Sequence, residues 1–154
     1  MIEITDVNRL RRLAQDLGVT CYAIVRSMTY SITGVAQLDV LSPSRDLFFW
    51  YRRMAKTGKW GRRAFDDGYV PCFLREIKSD PVARRTLNDL RRRSNDGKHI
   101  TLACYCGDES MCHRSIVAGL LSGTGVDVRT DSGRDYSAYY AQYKALARQC
   151  LTAA

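Results

Sequence analysis

The sequence predicts a single α/β domain spanning residues 1–154, with a small, mostly parallel sheet flanked by helices. Three observations predict it. Short apolar, β-rich runs at residues 20–25, 100–104 and 126–129 alternate with segments of helical period. That alternation is the pattern of parallel strands joined by helical crossovers. The length, 154 residues, is that of one domain. The composition, 45% hydrophobic and 26% charged, supplies one core without disulfide or metal staples.

Each element follows from local signals. Thr5 or Asp6 is placed to cap a first helix running through Leu17, with Val7, Leu10, Leu13, Ala14 and Leu17 on one stripe and Gly18 ending it. Residues 20–25, TCYAIV, form a buried strand that closes on the polar pair Arg26-Ser27. Residues 28–41 lack a helical period and read as a loop or a weak edge hairpin. Ser42-Pro43-Ser44 opens a helix carrying Leu47, Phe48, Tyr51 and Met54 at helical spacing, residues 58–68 read as turn-rich, and residues 69–77 as a short helix. Ser79-Asp80-Pro81 is a strong helix start, a capping residue before a first-turn proline. Asn95-Asp96-Gly97 stops that helix. ITLAC at 100–104 is the second buried strand. It is followed by a helix at 113–121, a third strand at 126–129 and a final helix at 136–151.

Charge and cysteine usage narrow the functional classes. Lys and Arg number 24 against 16 Asp and Glu, a formal net charge of +8 that favours anionic partners: phosphorylated metabolites, nucleotides or nucleic acid. The basic residues sit in short groups such as Arg62-Arg63 and Arg91-Arg92-Arg93, the pattern of solvated helix faces as much as of a binding patch. No apolar run approaches the ~20 residues of a membrane span. The first residues also lack the apolar core of a secretory signal. The expectation is a cytoplasmic protein without a membrane partner, its oligomeric state open. In a reducing compartment cysteines serve as thiols, metal ligands or small core residues. Cys21, Cys72 and Cys150 are scattered and read as buried small hydrophobes, whereas Cys104, Cys106 and Cys112 fall within nine positions.

The chemistry concentrates in residues 104–115, CYCGDESMCHRS, between a strand and a helix. Ligands of open α/β sheets bind outside the carboxyl ends of the strands, where helix N-termini offer free N–H groups and positive potential. Three readings compete. In the first, the N-terminus of the helix beginning at His113, with Arg114, Ser115 and Arg26, holds an anion, and Cys106 or Cys112 is a thiolate. The layout resembles the cradle of cysteine-dependent phosphatases and rhodaneses. In those families an arginine closes the loop six positions after the cysteine, whereas Arg114 lies eight after Cys106. In the second, Cys104, Cys106, Cys112 and His113 bind zinc. Strand alternation puts Cys104 and Cys106 on one face, although adjacent ligands such as Cys112 and His113 strain a tetrahedral site. In the third, the cysteines fill core space and His113 caps the helix.

Other candidates carry two readings each. Arg26 and Ser27 face the same cleft in a parallel sheet, unless Arg26 pairs with a surface acid. Asp108 and Glu109 suit general acid/base work or a sugar hydroxyl if they point into the cleft, and are solvent-facing loop acids if not. Tyr136, Tyr139, Tyr140 and Tyr143 recur at helical spacing, as a base-stacking platform or as packing with hydroxyls at the rim. Trp50, Tyr51, Trp60 and Phe65 either line a nucleobase pocket or pack helix on sheet. His99 carries no functional signal.

The string LACYCGDESMCHRSIVAGLL, with the early Arg26-Ser27, the LSPSRDLFFWYRR segment, Tyr69, Glu76 and the GKHITL lead-in, resembles the YeaO-like domain-of-unknown-function family, number four hundred eighty-eight. The resemblance covers residues 20–122, and Cys-His-Arg-Ser is its specific motif. It implies an α/β fold, a bacterial or phage origin and no settled activity. It implies Arg26, Tyr69, Cys104, Cys106, Cys112, His113, Arg114 and Ser115 as site residues.

The leading expectation is therefore an enzyme, a thiol-dependent hydrolase or transferase, acting on a phosphorylated or nucleotide-like small molecule. Cys106, Cys112 and His113 would do the chemistry, and Arg26, Ser27, Tyr69, Arg114 and Ser115 would bind substrate, with no cofactor. The alternatives are a non-catalytic nucleic-acid or nucleotide-binding module and a zinc-stabilised interaction protein.

Overall fold

The computed structural model describes residues 1–152. Five parallel strands form one sheet in the order β3-β2-β4-β1-β5: β1 Ile2–Asp6, β2 Val19–Ala23, β3 Val35–Gln37, β4 His99–Cys104 and β5 Val128–Thr130. Strand β4 lies at the centre. Its residues Ile100 to Ala103 are wholly buried, as a strand covered on both faces requires. Helix α1, Val7–Leu13, carries the chain from β1 to β2, and α6, His113–Ser122, carries it from β4 to β5. These two crossovers run in opposite directions along the sheet, and right-handed connections then place them on opposite faces. No helix among the described residues is long and apolar enough to cross a membrane.

The first segment departs from its predicted form. Asp6 does cap α1, accepting from the Arg9 amide at 3.0 Å, but the residues before it form β1 and the helix ends at Leu13. Leu17 is fully exposed rather than part of the stripe. Ile2 and Ile4 alternate with Glu3 and Thr5, the period of a strand, and both isoleucines are buried. Residues 28–41 hold a parallel edge strand, β3, and the 3-10 turn Asp39–Leu41 in place of a hairpin.

Ser44 caps α2, Arg45–Lys56, through its side chain to the Leu47 amide at 3.1 Å. The Glu76 carboxylate grips Ser44, accepting from its backbone N–H at 3.0 Å and from its hydroxyl. The region read as turn-rich is largely helical. Helix α3, Arg62–Ala64, passes through one π-helical turn, Phe65–Tyr69, into α4, Val70–Ser79. Tertiary packing overrides the turn signal of Gly68. A Cβ there would lie 2.8 Å from the Trp50 ring, so the glycine admits that ring. Helix α5, Pro81–Asn95, starts at the Asp80 cap as predicted.

Helix α7, Ala138–Thr152, packs on α6. Tyr136 and Tyr139 meet Gly119, and Tyr140 meets Gly123, which assigns this tyrosine stripe to helix packing. Cys21 is buried as expected and Cys72, on an outward turn of α4, is exposed. Cys150 lies outside the residues whose side chains are described.

Candidate functional site

The carboxyl ends of β2 and β4 open into a cavity of about 350 Å³. Its walls come from three places. Val25, Arg26 and Ser27 continue from β2, and Phe48 and Tyr51 project from α2 at i, i+3. Trp60 comes from the segment after α2, and Tyr69 is the last residue of the π-helical turn. The floor is the segment from Cys104 to the start of α6, including Cys106, Cys112 and His113. The rings interlock edge to face, with Trp60 centred 4.6 Å from Tyr51 and 5.8 Å from Tyr69. Tyr69 is stacked between Phe65 and Phe73, which fixes its plane. Burial pushes the Tyr69 hydroxyl well above the ordinary phenol range, and the nearby Cys112, Cys106 and Cys104 sulfurs add to the effect, so it stays protonated.

Four donor atoms converge on the floor. Cys104 Sγ lies 3.5 Å from Cys106 Sγ and 3.9 Å from His113 Nδ1, and Cys112 Sγ lies 3.7 Å from that nitrogen. Strand β4 ends at Cys104, and the bend at Tyr105 that follows brings Cys106 back to it, so the two sulfurs meet as their spacing predicted while Tyr105 is half exposed. Cys112 is the N-cap residue of α6 in extended conformation, and His113 is its first helical residue. The backbone change between them aims the two neighbouring side chains at one point, removing the strain expected of adjacent ligands. His113 Nε2 sits 2.7 Å from the Ile24 carbonyl oxygen. A carbonyl only accepts, so Nε2 carries the proton and Nδ1 presents a lone pair to the sulfurs. Burial lowers the His113 pKa and keeps the ring neutral. Bonding from the Cys106 thiol, and then from Cys112, draws the Cys104 thiol down. The bond to Cys104 holds Cys106 up, and burial holds Cys112 well up.

Six of the eight candidate catalytic and binding residues border this cavity: Arg26, Ser27, Tyr69, Cys106, Cys112 and His113. Arg26 gives Nε and Nη2 to the Pro43 carbonyl at 3.0 and 2.7 Å, rather than pairing with an acid. Arg114 and Ser115 are not brought to it. Arg114 is 2% exposed, donates to the Thr5 carbonyl at 3.1 Å and borders a separate groove with Asp6, Asp131 and Arg134. The Ser115 hydroxyl is buried and donates to the Cys112 carbonyl at 2.8 Å, inside the first turn of α6.

The two loop acids separate. Asp108 reaches the cavity edge and caps a 3-10 turn, Glu109–Met111, through the Ser110 amide and hydroxyl. Glu109 turns inward and accepts from the Asp131 amide at 2.8 Å and the Tyr136 hydroxyl at 3.0 Å, a structural role. Sequence reasoning missed Phe48 and Tyr105 as wall residues, because Phe48 equally fits the packing stripe of a helix and Tyr105 falls in the bend just after β4. It also missed Arg62, whose guanidinium holds the Ser110 carbonyl at 3.1 Å and hydroxyl at 2.9 Å and so fastens the floor loop. An arginine within a basic doublet gives no signal of that role.

A parallel α/β sheet with thiols, imidazole and aromatic rings gathered at its carboxyl edge defines the class as an α/β domain with a cavity at the carboxyl ends of its central strands. A family model described as the active DUF488-N3 subclade (DUF488-N3a) matches residues 6–125, and the chain belongs to the DUF488 family. No curated protein and no solved structure matches it.

Proposed function

We propose that this chain is an enzyme that takes a nucleoside-phosphate-like small molecule into the aromatic cavity and acts on it beside the sulfur cluster. The observation that carries the reading is the pairing of ring walls with a sulfur–imidazole floor in one concave site at the carboxyl ends of β2 and β4. Such sites are where α/β sheets bind ligands. A planar base matches the faces and edges offered by Tyr51, Trp60 and Tyr69. The volume, about 350 Å³, is at the small end of ligand pockets and suits a mononucleotide better than a nucleic-acid strand. Arg26 stands at the rim with no described bond from Nη1, and the net charge of +8 favours an anion. Cys106, the half-buried member of the trio, is the sulfur that meets the ligand. The description of the matched subclade as active accords with a working site.

Calorimetric titration with a nucleoside monophosphate, the matched nucleoside and inorganic phosphate tests this reading. The nucleotide binds more tightly than either fragment. Tyr51→Ala removes one stacking partner, about 1–3 kcal/mol, and weakens nucleotide and nucleoside alike by roughly 5- to 150-fold. Arg26→Ala weakens the nucleotide and leaves the nucleoside unchanged. Absence of binding by folded protein across several bases, or affinities indifferent to both substitutions, would contradict the proposal.

A further inference from the structure

We infer that Cys104, Cys106, Cys112 and His113 together hold one tetrahedral zinc ion, which forms the floor of the cavity. This stands on the four donor atoms and is independent of which ligand the cavity takes. The separations of 3.5, 3.7 and 3.9 Å, with all four donors within 4.8 Å of one another, are those of a single coordination shell. A tetrahedron with Zn–S of ~2.3 Å and Zn–N of ~2.0 Å has S–S edges of about 3.8 Å and S–N edges of about 3.6 Å. Donors this close surround one ion and leave no space for a multi-iron cluster.

The imidazole supplies an independent argument. Its Nε2–H is spent on the Ile24 carbonyl, 2.7 Å away, so its lone pair points into the sulfur trio. An outer nitrogen anchored on a backbone carbonyl is the usual way a metal-ligating histidine is held in tautomer and orientation. Charge agrees as well. Zn²⁺ with three thiolates and a neutral imidazole leaves one net negative charge, beside the N-terminal end of α6 and the buried Arg114. Thiolate-rich tetrahedral donors select zinc over the oxygen-seeking cations. Binding releases the remaining thiol protons to solvent and changes no oxidation state. The ion ties the end of β4 to the start of α6 across the loop that Arg62 also fastens. Cys106 then faces the cavity as a coordinated thiolate.

The full chain, prepared without a histidine tag under reducing conditions, is analysed for metal by elemental analysis and then exchanged with Co²⁺. Zinc near one equivalent per chain is expected, and the cobalt form shows thiolate-to-metal charge-transfer bands with the strong visible bands of a tetrahedral ion. Cys106→Ser and Cys112→Ser lose metal to a competing chelator at least as readily as the ~10- to 100-fold affinity loss of outer-shell changes. Cys72→Ser, on the exposed face of α4, retains it. Folded wild-type protein that retains no zinc after loading and gives an octahedral cobalt spectrum overturns the inference, as does a Cys104–Cys106 disulfide in the reduced preparation. Zinc-loaded protein that binds no nucleotide contradicts the proposed function alone, and metal-free protein that binds nucleotide contradicts this inference alone.

Discussion

His113 shows how much one side chain settles at this site. Its sequence position, first in a helix and next to Cys112, is compatible with a cap, a base or a ligand. The Ile24 carbonyl takes Nε2–H and turns Nδ1 to the sulfurs, the orientation on which the proposed ligand role rests. No local pattern announces that bond, because its partners are 89 positions apart. The cysteines were more legible: three thiols within nine positions marked the candidate segment, and the i, i+2 spacing of Cys104 and Cys106 foretold their meeting, although the chain has left β4 by Cys106. Arg114 was not legible. An arginine at a helix start offers a ready anion contact, yet the pleat of β1 supplies the Thr5 carbonyl and the side chain is drawn inward. Glycines carry similar hidden weight. A Cβ on Gly119 would lie 2.1 Å from the Tyr136 carbonyl oxygen, a backbone atom with little room to yield. Gly119→Ala is therefore expected to destabilise by about 1–3 kcal/mol or more. Urea denaturation reads this directly, and an unchanged midpoint would show that α7 does not sit as described.

Two carboxylates clamp neighbouring elements around the cavity. Glu76 on α4 holds the N-cap of α2, keeping Phe48 and Tyr51 over the cavity. Glu109 joins the floor loop to the segment after β5 by accepting from the Asp131 amide and the Tyr136 hydroxyl. Glu109→Ala leaves those donors without their acceptor, at a cost of about 1–3 kcal/mol for each one that water does not reach. The substitution should lower the denaturation midpoint and speed hydrogen exchange at the Asp131 amide, and unchanged exchange would count against the clamp. At this scale the sequence was legible where capping chemistry is local, as at Ser44 and Asp80. It was misleading where packing overrides propensity. The Gly68 region reads as turns, yet the Trp50 ring lies over the bare glycine and the helix continues through a π turn, a feature common beside functional sites. Strand β1 was overlooked because its alternation spans only five residues and a good helix cap stands at its end.

The molecule as a whole brings these devices to one edge of the sheet. Parallel strands direct β2 and β4 to the same edge, so Arg26-Ser27 and Cys104–Cys106, nearly eighty positions apart, become opposite walls and floor of one cavity. The fold class was readable from alternation alone, and so was the gathering of thiols and imidazole after strand ITLAC. The strand order was not, since pairing across a crossover leaves no trace in local pattern. Both tryptophans of the chain stand here: Trp60 lines the cavity and Trp50 packs edge to face against it, 6.2 Å between centroids. Intrinsic fluorescence therefore reports on this site and on little else. The most direct test of the account is a titration of that emission with a nucleoside monophosphate at fixed ionic strength. A saturable change in the wild-type protein, moved to higher concentration by Tyr51→Ala, is the predicted result. Emission that stays constant through the millimolar range while the protein remains folded would contradict it.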